Sequence, residues 1–367
     1  MLSRLRLSTF LALLILNLPL LSAEAPRVFP LWDGKEAISS YAMRVNLPAT
    51  KSIDLGGGVA LELVLIPAGQ FIMGSEEPAK PTVTVADANW LIALGGGGVA
   101  LLLLVLAIKS IQKRKLSFSL RFLLLMTITT GVCLRGIARR QLALQEAARY
   151  GAELAVFNNL VGTEKPAHSV TITQPFYMGK YTVTQEQYSA IIGANPSSFK
   201  GAKLPVENVS WDDAAAFCKK LNELLKDKSL EVRLPTEAQW EYACRAGTRT
   251  RFYSGDSDSD MPTAGWCESN SGGTTHPVGQ LKANAFGLYD MHGNVWQWCQ
   301  DSWSQYHSSL NSLSNPVGPN NADARVLRGG AWSYLPNECC SSFRLINSSD
   351  IRTFNYGFRL VLPGLVD

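Results

Sequence analysis

From Gly58 onward the segment VALELVLIPAGQFIMGS alternates apolar and polar side chains and then meets Pro-Ala-Gly, the pattern of a half-buried strand closed by a turn. HSVTITQPFYMGKYTVT predicts two further short strands. Thr184 with Gln187 three residues on is a capping-box signal for a helix running to Ile192. Ser210 opens a second helix, WDDAAAFCKKLNELLK, in which Phe217, Leu221 and Leu224 recur on one face. Thr236 with Gln239 opens a third, AQWEYAC, and each such cap contributes about 0.5–2 kcal/mol. Beyond Gly247 the chain turns to Gly, Ser, Asn and Asp with scattered tryptophans, and no long helix is predicted. Order there has to come from buried aromatics, disulfides or a bound ion, because few backbone ladders are available. Trp266, Trp296, Trp298, Trp303 and Trp332 are the anchors at hand.

Three apolar runs have no polar face. The first, Leu7 to Leu21, follows Arg4 and Arg6 and precedes Ser22, Ala23 and Ala25, the layout of a secretory signal peptide over residues 1–25. The second, Trp90 to Ile108, is uncharged and long enough to cross a bilayer; the third, about 118–134 with its apolar part from Phe122 to Leu134, is short and has Arg121 and Arg135 at the ends of that part. Lys109, Lys113, Arg114 and Lys115 lie between these two runs and belong on the cytoplasmic side by the positive-inside rule. A transmembrane hairpin then returns the chain to the outer face, against the bias of Arg135, Arg139 and Arg140; the other arrangement is one span followed by an interfacial helix. The organisation expected is a signal peptide (1–25), a linker (26–56), a first domain segment (57–79), a membrane insert (80–159) and the main domain (160–363). The main domain is expected outside the cytoplasm, tied to the membrane through residues 90–134.

Composition narrows the function classes. Of 367 residues 46% are hydrophobic, enough for a sizeable core, and the net charge of +4 comes with no basic stripe that would follow a phosphate backbone. Nucleic acid is therefore not an expected partner. Cys133 falls in an apolar run, whereas Cys218, Cys244, Cys267, Cys299, Cys339 and Cys340 form an even set able to make disulfides in an oxidising compartment. Without a CxxC pair or a His-Cys cluster, no structural zinc is expected. His168, His276, His292 and His307 are isolated in sequence and show no metal-site spacing.

The motifs LIPAGQFIMGS, PFYMGKYTVTQEQY, PVENVSWDDAAAFC, RLPTEAQWEYACRAGT, NAFGLYDMHGNVWQWCQD, RVLRGGAWS and NYGFRL stand in the order of the formylglycine-generating enzyme, or sulfatase-modifying factor, family. By these motifs the chain resembles that family over about residues 57–76 and 168–362. The resemblance implies a mixed α/β (α+β) fold, C-type-lectin-like, with little regular secondary structure and with bound calcium. In active members it implies a copper enzyme that uses oxygen to convert a sulfatase cysteine to formylglycine. The family's calcium oxygens fall on Asp290, Gly293, Val295 and Gln297, where Gln297 replaces a frequent Glu.

Active members hold Cu(I) between the thiolates of a C-x4-C pair soon after the glycine pair, a soft-ligand site. Here the second cysteine falls on Cys339 or Cys340 and the first on Tyr334 or Leu335, while Ala331 stands in place of a serine. Cys339 and Cys340 are thus the catalytic candidates, and one of them is also expected to pair with another downstream cysteine. A thiol there would need activation, which Glu338 opposes and which Arg328 and Arg344 could supply only by folding close. Two functions follow. One is an oxidase acting on an exported sulfatase or another secreted peptide. The other is a non-catalytic, calcium-stabilised lectin-like scaffold with Trp296 and Trp332 lining a groove for a peptide or glycan.

Overall fold

The computed structural model describes residues 28–75, 164–225, 230–305, 312–319 and 324–364. The expected signal peptide and both apolar runs of the expected membrane insert lie outside these residues. Among the described residues no helix is long and apolar enough to cross a membrane.

The described residues contain four helices and thirteen short strands. The helices are α1 (Ile38–Val45), α2 (Gln185–Ile192), α3 (Trp211–Leu224) and α4 (Glu237–Arg245). The strands are β1 (Thr50–Gly56), β2 (Val59–Ile66), β3 (Gly69–Met73), β4 (His168–Ile172), β5 (Phe176–Gly179), β6 (Gly265–Trp266), β7 (His292–Gly293), β8 (Trp296–Ser302), β9 (Ser312–Ser314), β10 (Ala324–Arg328), β11 (Arg344–Ser348), β12 (Tyr356–Phe358) and β13 (Val361–Pro363). They form sheets of order β1-β2-β5-β13, β11-β10-β8-β12, β3-β4-β9 and β6-β7. The architecture is mixed α/β.

Strands from either side of residues 76–163 pair directly. Val64 lies opposite Met178 between β2 and β5, and Phe71 opposite Val170 between β3 and β4. The period of two then divides the side chains between two cores. Leu61, Leu63 and Leu65 of β2 and Tyr177 of β5 enter one cluster, and Val64, Ile66, Phe176 and Met178 enter the other. β8 does the same: Trp296 and Trp298 join the first core and Cys299 the second. Each large apolar side chain so buried stabilises by about 1.5–3 kcal/mol.

Residues 26–56 were expected as a linker, but the described part carries α1 and β1. Tyr41 and Val45 of α1 are buried, Ile53 of β1 lies in the first core, and β1 pairs with β2 from Thr50 opposite Val64. This segment gains its order by burying one face of α1 and by pairing β1 with β2 at the sheet edge it completes.

The local helix signals are realised. Thr184, Ser210 and Thr236 each accept from the third backbone N–H of their helix, and Gln187, Asp213 and Gln239 reach back to the cap amide. Ala214, Phe217, Cys218 and Leu221 form the buried face of α3, whereas Leu224, expected beside them, is exposed in its last turn. α4 is buried almost all round, including Glu237, Glu241 and Arg245, so its charges require partners inside the protein.

Candidate functional site

The stretch from Arg328 to Arg344 leaves β10, makes two left-handed glycine steps, passes through a 3-10 turn at Pro336–Cys339 and enters β11. Gly330 has φ +75°, and a Cβ there would lie 2.2 Å from Cys339 Sγ, so the second glycine makes room for the thiol. Cys339 is fully buried, and its sulfur meets the Ala331 carbonyl at 3.9 Å. Burial first, then neighbouring Cys267 and Glu338, push its thiol well above the ordinary value. Cys340 turns to different surroundings: its sulfur is 3.7 Å from Ser342 Oγ, and burial with Glu164 nearby raises its thiol to about 12. The adjacent sulfurs therefore share no pocket.

The position expected for the first copper thiolate holds Tyr334, whose ring packs edge-on against Trp296 at 5.2 Å; Leu335 is half exposed. Neither offers a soft donor, and the described residues contain no group of three or more His, Cys, Asp or Glu placed to hold a metal. The copper pair does not fit these residues. The disulfide expectation is corrected as well, since all six described cysteines are free thiols.

Arg328 and Arg344 do fold close, but to carboxylates. Arg344 binds Glu237 through Nε at 2.6 Å and Nη2 at 2.8 Å, and Arg245 binds Glu241 at 2.8 Å. Arg328 pairs with Glu241, lies 3.2 Å from Glu237, and donates to the carbonyls of Ser341 at 3.2 Å and Phe343 at 2.8 Å. Burial alone would raise the Glu241 carboxyl, but Arg328 and Arg245 hold it below its ordinary value. This cluster ties α4 to the cysteine turn, and the guanidinium charge is spent on carboxylates rather than on a thiolate.

His292 braces the same turn. Its Nδ1 is 2.7 Å from the Cys339 carbonyl and its Nε2 is 3.1 Å from the Tyr253 amide. An amide can only donate, so Nε2 accepts and Nδ1 carries the proton. Burial lowers the ring to about 4, which keeps it neutral. His276 instead stacks on Trp266 at 3.7 Å, and His168 meets the Pro166 carbonyl, so the described histidines do not converge.

The expected calcium set is only partly suited to an ion. Asp290 is buried at φ +53°, with Oδ2 accepting from the Gly279 amide at 2.8 Å and Oδ1 buried without a hydrogen-bond partner among the described residues. Gln297 differs. Its Oε1 accepts from Trp240 Nε1 and Arg359 Nε, each at 2.9 Å, which uses both lone pairs, and its Nε2 donates to the Asp290 carbonyl at 2.8 Å. Arg359 also donates to the carbonyls of Gly179 at 2.5 Å and Tyr289 at 2.6 Å. A hard cation requires free oxygen lone pairs, yet here an amide N–H already bridges two of the expected ligands and a buried guanidinium supplies the positive charge. Asp290, Gly293, Val295 and Gln297 together do not fit a calcium ion.

The two tryptophans assigned to a groove part company. Trp296 is fully buried between Tyr334 and Phe343, so it packs the core and presents nothing to a ligand. Trp332 is half-buried and sits between Phe199, edge-on at 5.5 Å, and Phe354 at 5.7 Å, which is 48% exposed. Two residues at these sites escaped sequence reasoning, Arg359 and Phe354, and the nearness of Cys267 to Cys339 could not be read from spacing. Arg359 lies inside the NYGFRL motif, but a motif does not disclose a partner 62 residues away.

Known proteins share this arrangement of motifs and strands. The profile of the sulfatase-modifying factor enzyme 1-like domain matches residues 144–363. The chain is 35% identical over 220 residues to the chaperone protein LppX of Paenibacillus barcinonensis, covering 46% of this chain and 74% of that protein. It is 30% identical over 235 residues to the formylglycine-generating enzyme of Mus musculus, covering 59% of each, and 36% identical over 173 residues to that of Streptomyces coelicolor, covering 42% of this chain and 51% of the enzyme. The chain thus spans between about half and three-fifths of these two enzymes. In fold it is similar to Treponema denticola variable protein 1 (TM-score 0.59, 23% identity, 86% of this chain and 99% of that one) and to PvdO from Pseudomonas aeruginosa (TM-score 0.55, 20% identity, the same coverage). The ordered motifs, the mixed α/β fold and the match over more than half of its length agree: the chain belongs to the sulfatase-modifying factor family.

Proposed function

We propose that this member of the family is a non-catalytic binding domain, exported by its N-terminal leader and held at the outer face of the membrane through residues 90–134. One observation carries the reading: the place of the first copper thiolate is held by Tyr334, and the remaining Cys339 is sealed in the core with a protonated thiol. Oxygen activation between the two sulfurs of a C-x4-C pair has no thiolate at position 334 or 335 and no open approach to Cys339. The recognition surface is the row Phe199–Trp332–Phe354, which offers flat apolar faces suited to a secreted peptide or a glycan.

The test has two arms. A sulfatase peptide containing Cys-x-Pro-x-Arg is incubated with the protein, copper and oxygen and probed with an aldehyde-reactive hydrazide; no aldehyde is expected, and conversion would overturn the reading. In the second arm the protein is screened on glycan and peptide arrays beside Trp332→Ala. Hits lost in the variant at unchanged melting temperature support the surface, and hits retained in full reject it. Turnover that disappears in Cys267→Ser would instead assign an oxidase to a thiol pair formed by Cys267 and Cys339.

A further inference from the structure

A cavity of about 720 Å³ lies away from the cysteine turn, between α3 and the outer ends of β8 and β10. This is within the range of small-molecule sites, roughly 300–1,000 Å³. Its wall contains two guanidiniums fastened to one residue. Arg233 Nη1 donates to Gln300 Oε1 at 3.3 Å, and Arg325 Nη1 donates to the Gln300 carbonyl at 3.0 Å. Arg325 also stacks over the Trp211 indole at 3.9 Å, which holds its plane.

Most of their donor capacity is unspent. Arg233 makes its remaining bonds, to the Leu234 carbonyl and Gln239 Oε1, through the same Nη1, so Nε and Nη2 have no acceptor among the described residues. Among those residues Arg325 has only its Nη1 bond, and its Nε is buried without a partner. Arg233 Nε and Nη2, unlike Arg325 Nε, are not sealed from solvent, so a ligand oxygen can reach them and form a charge-assisted hydrogen bond.

We propose that this cavity binds a monoanionic organic carboxylate. The carboxylate engages the fork of Arg233 and Arg325 in the way two N–H donors match two oxygens, and the apolar part of the ligand rests on Trp211 and Leu234. The charge is set by the rest of the lining: Lys219 adds a third cation, while Glu223 and Glu231 oppose it. A monoanion meets less opposition than a dianion such as phosphate, because Glu223 and Glu231 line the cavity and Asp301 also acts on Arg233. The ligand is either a free small acid or the C-terminus of a peptide, which share this chemistry.

The experiment is ligand-observed NMR and calorimetry on the intact chain with three probes: benzoate, an acetylated peptide ending in a free phenylalanine carboxylate, and the same peptide amidated. Saturable binding of benzoate or of the free-acid peptide is expected, with the amidated peptide silent. Binding of benzoate alone assigns a small acid, and stronger binding of the free-acid peptide assigns a chain terminus. Arg325→Gln should weaken binding about tenfold or more, the loss of one charge-assisted hydrogen bond. If that variant does not fold, Lys219→Glu at the exposed rim should weaken binding several-fold. The proposal is overturned by no saturation with any carboxylate, by phosphate binding as tightly as benzoate, or by affinity unchanged in a folded Arg325→Gln.

Discussion

Replacing Gln297 by Glu reverses one atom of the Asp290 loop and should convert it into a calcium-dependent structure. In the native protein the Gln297 Nε2–H binds the Asp290 carbonyl at 2.8 Å while Oε1 serves Trp240 and Arg359. A carboxylate keeps the last two bonds and loses the first, leaving two oxygens facing each other in a buried site. The lost bond with its unsatisfied carbonyl costs about 1–3 kcal/mol. The added buried charge is opposed by Arg359, so the total is about 2–4 kcal/mol, or a melting temperature lower by roughly 4–16 °C in chelator. Calcium can then occupy the gap between the Asp290 oxygens and the carboxylate introduced at position 297, and at a hundredfold excess over its Kd it restores about 2.7 kcal/mol. The assay is thermal unfolding of wild type and Gln297→Glu in EGTA and in millimolar calcium. The wild type should melt at the same temperature in both, and the variant only should respond. A wild-type melting temperature that rises with calcium, or a variant indifferent to it, would refute the argument that an amide and a guanidinium stand where an ion would be.

The buried charges and thiols give three more expected outcomes. Arg328→Met removes the guanidinium shared by Glu237 and Glu241; leaving buried carboxylates with one cationic partner each should cost about 3–5 kcal/mol, read as a fall of roughly 6–20 °C in melting temperature. Glu207 is fully buried with Oε2 unpartnered among the described residues, and burial raises its carboxyl from 4.5 to about 7. Its native form holds the proton more tightly than the unfolded chain, so its stabilising contribution is complete below pH 4.5 and is lost as pH rises through 7. Glu207→Gln should flatten that decline, making the variant relatively more stable by about 1–3 kcal/mol at pH 8 in urea titrations; an unchanged slope counts against it. Cys339 and Cys340 should resist iodoacetamide in the native protein and react once unfolded, as followed by peptide mass spectrometry, because both thiols are buried and protonated.

How much was legible in the chain depends on the range over which each interaction acts. The caps at Thr184, Ser210 and Thr236 close within three residues, so their signals translate directly into helix starts. The alternation in β4 likewise announced a strand, because a period of two is a local property. The family, too, could be read from ordered motifs before any fold was known. Residues 26–56 could not be placed, since β1 is ordered by pairing with β2 rather than by its own pattern.

The site residues show the same division more sharply. Sequence by itself determined that a glycine pair precedes two cysteines, that Tyr334 or Leu335 stands where a thiolate belongs, and that an amide replaces a frequent carboxylate at 297. Only the tertiary structure decided what those residues do. It sends Cys339 and Cys340 to different neighbours, buries Trp296 while leaving Trp332 between two phenylalanines, and brings Trp240 and Arg359 to Gln297 from 57 and 62 residues away. The physical reason is that hydrogen bonds and ion pairs depend on distances of about 3 Å between groups whose separation along the chain is arbitrary.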